Sequence, residues 1–419
     1  MARSRVVKET FLAGLLASLL AFAGAPLARG QQSLELVAPD AALQDDFGAA
    51  VSLSGARALI GAPHADAVEV DAGAAYLFEL DDTGQWQPVA KLQASDATAG
   101  AGFGTSVSLD GDQALIGAPL YSKGAAYYFE RQGDGTWLQK AKMTDFDAVA
   151  GDLYGWSVAL SGDVAYIGAP YSDHSVGQDG GIMYAWFRNA AGTWFGGWEH
   201  QMGQGIHYGW SVALSDRHVG LVGALHGTAA PGIVSGAVYA YERPPTLGAY
   251  WLLGGKLLPS DASPGDDFGY AVSVAGRRAL VGAPGDDTLA GVDAGSSYVF
   301  ERVAFAQWVQ VAKLEPHAAA PGLRFGASVS ISGDRALVGA LRSSAPGAPD
   351  CGSAYLFERQ PAGGWIEIGE LMAPDSATGD LAGCAVSLWD GDRALVGSVG
   401  DDTPAGPDAG AAHVFTNLP

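Results

Sequence analysis

The chain has 419 residues, of which 60 are glycine, 21 proline and two cysteine, and only 16% are Asp, Glu, Lys or Arg. Its 23 basic and 45 acidic residues leave a net charge of −22, a field that repels nucleic acid and anionic lipid and favours cations or basic groups. Abundant turn-forming residues and the lack of an amphipathic helical period after residue 30 exclude a helical bundle and fit an all-β protein.

The N-terminus carries Arg3, Arg5 and Lys8 ahead of an apolar run from Phe11 to Phe22. That run is short for a membrane span and is followed by small residues, with Ala21-Phe22-Ala23 and Ala28-Arg29-Gly30 as cleavage sites. Residues 1–30 therefore read as a secretory signal peptide. Removing Arg3, Arg5, Lys8, Arg29 and Glu9 with it leaves 19 basic and 44 acidic residues, a balance of −25. No later run is long enough to span a bilayer, so residues 31–419 are expected to be a soluble secreted, periplasmic or cell-surface domain.

From residue 31 onward one phrase recurs: aromatic-Gly-x-Ser-Val-x-Leu, a short turn, x-Ala-Leu-Val-Gly-Ala-Pro, a variable loop, then Gly-x-x-Tyr-x-Phe. It opens at Phe47, Phe103, Tyr154, Tyr208, Phe268 and Phe325, with a worn copy at Ala382, in steps of 51 to 60 residues. A fixed period of this length marks an array of supersecondary units that bury their faces against each other. In the fifth copy, Phe268 to Val274 alternates at strand period, Ala275-Gly276-Arg277 turns, and Arg278 to Gly282 returns until Pro284 stops it. Ser296 to Glu301 and Trp308 to Leu314 supply two further strands. Each copy is thus a four-stranded antiparallel meander. A Tyr-x-aromatic column in the third strand (Tyr76/Phe78 through Tyr355/Phe357, ending His413/Phe415) and a Trp column opening the fourth (Trp86, Trp137, Trp251, Trp308, Trp365) read as packing between sheets.

Seven such sheets predict a seven-bladed β-propeller. The last copy ends at Pro419 after its third strand, while Ser33 to Val37 is a spare strand at the start of the domain. Leu36 lies 11 residues before Phe47, as Leu92 does before Phe103 and Leu314 before Phe325. Residues 33–37 are therefore expected to complete blade seven, burying Leu34, Leu36 and Val37 and removing two sheet edges.

The Phe-Gly openings with the stops Gly61-Ala62-Pro63, Gly117-Ala118-Pro119, Gly168-Ala169-Pro170 and Gly282-Ala283-Pro284 resemble the FG-GAP repeat family. The likeness covers residues 33–419, and extends to the propeller of integrin α-subunits and to bacterial secreted FG-GAP proteins. It implies extracellular recognition or cell adhesion. Integrin-type calcium loops of the form Asp-x-Asp-x-Asn-Gly-x-x-Asp are not matched: the corresponding connections here, such as Asp110-Gly111-Asp112 and Ser332-Gly333-Asp334, are too short to wrap a cation.

Candidate sites lie in the longer loops. Carboxylates recur there as Asp267 with Asp286, Asp287 and Asp293 in blade five, and as Asp401, Asp402 and Asp408 in blade seven; Asp45, Asp46, Asp66, Glu69 and Asp71 form a similar group in blade one. They are candidates for a Ca²⁺ cofactor or for a solvated acidic rim. Blades three and four are enriched in Trp and His, including His174, Trp194 and Trp198. Trp156, His200, His207, Tyr208, Trp210 and His226 are the candidates there for binding a glycan or protein ligand, with Trp156 and Trp210 standing where other copies have Ala49, Thr105 or Ala327. No nucleophile elbow, phosphate loop or dinucleotide fingerprint appears. The leading expectation is a non-catalytic recognition module. A carbohydrate lyase or hydrolase using His207 and Tyr208, and a structural envelope module, are the alternatives. Cys351 and Cys384, mapping near one face of adjacent blades, are expected to form a disulfide if their Cα atoms lie within about 7 Å.

Overall fold

The computed structural model describes residues 32–66, 68–173, 177–216, 218–243, 251–345 and 347–419. The signal peptide expected over residues 1–30, and His174, lie outside the described residues. Seven four-stranded antiparallel sheets follow one another, and among the described residues there is no helix. Blade five is representative: Val272–Ala275, Arg278–Ala283, Ser296–Ala304 and Gln307–Leu314. Blade four adds a small hairpin, Thr228–Ala230 with Ile233–Val234, to its loop. Blade seven contributes Val386–Trp389, Arg393–Ser398 and Ala411–Thr416, and its outer strand is the N-terminal Gln32–Leu36. That strand pairs antiparallel with Ala411–Thr416, setting Leu34 against Val414, Glu35 against His413 and Leu36 against Ala412.

The closing strand buries less than the sequence suggests. Leu36 is buried, but Leu34 is 42% exposed, because an outer strand faces solvent on the side away from its neighbouring blade. Backbone pairing and Leu36 hold it. The strand boundaries also shift at the repeat opening. Phe268 precedes its strand, and residue 236 of the preceding blade forms a parallel bridge with it. In blades four and six the strand does include the aromatic, as Tyr208–Ser215 and Phe325–Ser332.

The two glycines of each repeat are explained by contact between blades. Gly48 has φ of 100° and is free to adopt it for want of a Cβ. Its carbonyl lies so close to Gly397 of blade seven that any side chain on Gly397 would overlap it. The same contact recurs at the other six junctions, Gly61 on Gly104, Gly117 on Gly155, Gly168 on Gly209, Gly223 on Gly269, Gly282 on Gly326 and Gly339 on Gly383. Repeated strand glycine here marks close approach of backbones. The opening aromatics fill the space beside it. Phe47, Phe103, Tyr154, Tyr208, Phe268 and Phe325 are all essentially unexposed, and Phe47 meets Tyr76 edge-on with ring centroids 5.5 Å apart.

A second clasp joins the inner strands. The amide of Leu109 donates to Ser52 Oγ at 3.0 Å, Leu160 to Ser108, Ile331 to Ser273, Leu388 to Ser330, and Leu53 to Ser387 across the ring closure. Ala159 and Ala213 occupy the serine position in blades three and four, so the three–four and four–five junctions lack this bond. On the face carrying the hairpin turns, arginines tie blades together, as in Arg57 to Glu79 at 2.6 Å with Arg131 to the same carboxylate at 3.2 Å.

The Gly282→Ala variant is expected to lose about 3 kcal/mol or more of stability, the scale of a severe overpacking. Gly133→Ala, at a position with no heavy atom near the new methyl, is expected to change little. Thermal melts of both variants check this; equal melting points would contradict the contact.

Candidate functional site

The loops between second and third strands share one face with the segments linking blades, since Gly73, Gly124, Gly236 and Gly352, each just before a third strand, bridge to Phe103, Tyr154, Phe268 and Ala382 at the next repeat opening. The residue after each opening pair sits at the start of the first strand, just ahead of it in most blades and within it in blades four and six. First strands contact one another from blade to blade and so surround the axis. In blades three, four and five this position holds Trp156, Trp210 and Tyr270; elsewhere it holds Ala49, Thr105, Ala327 and Cys384. The three rings form a half-buried arc at the axial mouth, with centroids 5.2 Å apart for Trp156–Trp210 and 5.7 Å for Trp210–Tyr270. The arc crosses the two junctions that lack the serine clasp.

Polar groups stand behind the arc. His207 is near-parallel to Trp210 at 6.4 Å and packs on His226 at 4.3 Å and Tyr171 at 4.7 Å. Burial, and then the neighbouring His226, pull His207 below the usual histidine range, against the opposing charge of Asp179. Its Nδ1 is buried without a hydrogen-bond partner. Asp267 is half-buried and raised above the usual carboxylate range, mainly by burial, against the opposing charges of Arg324 and His226.

The structure thus brings together Trp156, Trp210, His207 and His226. It places His200 and Tyr208 elsewhere. Tyr208 is fully buried and its hydroxyl donates to Tyr241 Oη at 2.6 Å, while Tyr241 Oη lies 2.7 Å from His200 Nδ1. These three side chains are an interior relay between blades three and four, and burial holds Tyr208 well above the usual phenol range. His207 and Tyr208, neighbours in sequence, therefore point into different surroundings. Trp194 opens the fourth strand of blade three and belongs with the packing tryptophans. Tyr270 and Tyr171 were not singled out from the sequence; Tyr270 was legible from its column, whereas Tyr171 lies in a loop of no fixed pattern. Trp198 and Trp186, with Tyr184, Asp145 and Glu199, line a separate open groove of about 510 Å³ on blade three.

The loop carboxylates are largely committed to the chain itself. Asp45 Oδ2 accepts the amide of Ala42 at 2.8 Å, and Asp266 Oδ2 that of Ser263 at 2.6 Å, closing the turn before each aromatic-Gly pair. Asp287 Oδ1 accepts from the Asp293 amide at 3.0 Å, and Asp402 Oδ1 from Asp408 at 3.1 Å. Asp293 and Asp408 both have φ of 51°, a left-handed turn that Asp tolerates. Asp286 is buried and bound to Lys313 and Tyr298, and Asp401 is buried against His413.

Both cysteines are free. The expected disulfide is not formed because the thiols face different neighbours: Cys351 Sγ donates to the Ser343 carbonyl at 3.5 Å and Cys384 Sγ to the Gly48 carbonyl at 3.4 Å. Burial raises both thiols above their usual range.

Fold and repeat geometry together define a closed seven-bladed propeller whose blades are joined glycine to glycine. A profile of the FG-GAP repeat matches residues 31–78, 86–129, 137–186, 251–300, 308–357 and 365–415, and the chain belongs to that family. Each match begins on the fourth strand of one blade and ends in the third strand of the next, so the repeat in sequence straddles the blade in space. The stretch between 186 and 251, which goes unmatched, nonetheless holds the fourth strand of blade three, Trp194–Gln201, and the first three strands of blade four. The chain matches no curated relative.

Asp266 supplies a test of the turn assignment. Burial raises its carboxyl from the ordinary 3.8 to about 6. The folded state then binds more protons than the unfolded state between about pH 4 and pH 6, so this group's contribution to stability falls as pH rises through that window and is level above it. Asn at this position keeps the oxygen that receives the Ser263 amide but cannot ionise. The melting point of Asp266→Asn relative to the parent is expected to rise from pH 4 to pH 7; an offset independent of pH would contradict it.

Proposed function

We propose that this propeller is a secreted, non-catalytic recognition module that binds an extracellular glycan across the axial mouth of its long-loop face. The observation that carries the reading is the aromatic arc of Trp156, Trp210 and Tyr270, partly exposed on one side of a mouth whose other side is lined by small residues. Flat apolar ring faces beside hydrogen-bonding groups suit a sugar, which has an apolar face and a hydroxyl edge. His207 and His226 supply polar atoms within reach of the same surface. The acidic chain disfavours anionic polysaccharides and leaves neutral or amino sugars as the class. Export rests on the N-terminal basic and apolar segment. Among the described residues no helix is long and apolar enough to cross a membrane.

The test is a glycan array with the mature protein, followed by calorimetry on Trp156→Ala and Trp210→Ala well below their melting points. A hit weakened about tenfold or more by each change, equivalent to roughly 1.4 kcal/mol, with the glycan recovered intact, is the expected result. Undiminished binding by both variants would remove the arc from the site, and cleaved or unsaturated sugar products would replace recognition with catalysis.

A further inference from the structure

Blades five and seven place four matched positions around the same point, and the chemistry at that point differs. In blade five, Asp261 from the blade linker and Asp286 from the loop between strands two and three flank Lys313, whose Nζ lies 2.7 Å from Asp261 Oδ2 and 2.7 Å from Asp286 Oδ2. Tyr298, paired across the sheet with Lys313, donates to both carboxylates at 3.0 and 3.1 Å. One ammonium thus holds two acids. Lys142 and Lys91 occupy the same place in blades two and one, bound to Asp96 and Asp40.

In blade seven the two acids remain, as Asp375 and Asp401, but the lysine position is Glu35 and the tyrosine position is His413. Among the described residues no Lys or Arg forms an ion pair with any of the three acids. The ligand atoms of Asp375, Asp401 and His413 lie within 4.8 Å of one another. Asp401 and His413 are buried, with Asp401 Oδ2 3.1 Å from His413 Nε2, whereas Asp375 and Glu35 open to solvent and leave an entry. His413 is wholly buried and its Nδ1 has no hydrogen-bond partner.

We propose that Asp375, Asp401 and His413, assisted by Glu35, form a binding site for one first-row divalent cation of the zinc type, taking the place that a lysine ammonium holds in blade five. An imidazole nitrogen among carboxylate oxygens suits Zn²⁺, whereas Ca²⁺ prefers an all-oxygen shell. The site joins the first strand of the domain, through Glu35, to the last, through His413. Bound metal would therefore brace the pairing of Gln32–Leu36 with Ala411–Thr416, two strands that no loop connects.

The experiment uses the mature protein stripped with a chelator and titrated with Zn²⁺ or Ca²⁺ alone, read by calorimetry and thermal melting. Expected are one Zn²⁺ per chain, a melting point several degrees higher at a hundredfold excess over Kd, and a weaker response to Ca²⁺. The exposed Asp375→Asn change should weaken Zn²⁺ binding at least tenfold. The double variant Glu35→Lys with His413→Tyr rebuilds the blade-five set; it should melt no lower than the metal-free parent and ignore Zn²⁺. A parent that does not respond to Zn²⁺, a preference for Ca²⁺, or a Zn²⁺ shift unchanged in Asp375→Asn would overturn the site.

Discussion

Everything in this molecule rests on a backbone-to-backbone contact in which a second-strand glycine of each blade lies against the carbonyl of the aromatic-Gly pair in the next. No side chain fits between them, so the contact fixes the distance between sheets at seven places around the ring. The packing density that follows lets the opening aromatics bury fully beside it, with Tyr127, Tyr298 and Tyr355 of the third strands. Ring closure is the same contact made once more, Gly397 on Gly48, reinforced by Ser387 to Leu53 and by the pairing of Gln32–Leu36 with the final strand.

Variation is tolerated where that constraint is already met. Five junctions add a serine clasp; the two without it carry Trp156, Trp210 and Tyr270 in tilted ring contacts across them. The same rings are partly exposed at the mouth, so joining blades and presenting a surface are not alternatives there. Blade seven varies differently. It has lost the opening aromatic, the third-strand tyrosine and the fourth-strand lysine, and it is the blade completed by two distant parts of the chain. A site that gathers charge from both parts is a physical means of holding such a blade together.

Much of the fold was legible because each constraint repeats. Glycine recurs where backbones touch, tyrosine where sheets pack, and the 11-residue spacing from Leu36 to Phe47 disclosed the closing strand. The candidate site was only partly legible. Sequence places His207 and Tyr208 side by side, but a turn with φ of 51° at His207 separates an open ring from a buried hydroxyl. Aspartate is ambiguous in the same way, since Asp287 and Asp402 satisfy backbone amides that no composition count reveals. Cys351 and Cys384 lie on adjacent blades, yet their thiols face different carbonyls. The significance of Glu35 and His413 emerges only once the register sets them opposite each other.

Closure of the ring by the N-terminal strand is tested most directly by hydrogen exchange on the propeller domain lacking residues 32–36. Blades that support one another around a closed circle should lose amide protection together, in blades two to six as well as in blade seven. Loss confined to blade seven and its immediate neighbours, with native protection elsewhere, would show an open array in which the closing strand carries only its own sheet.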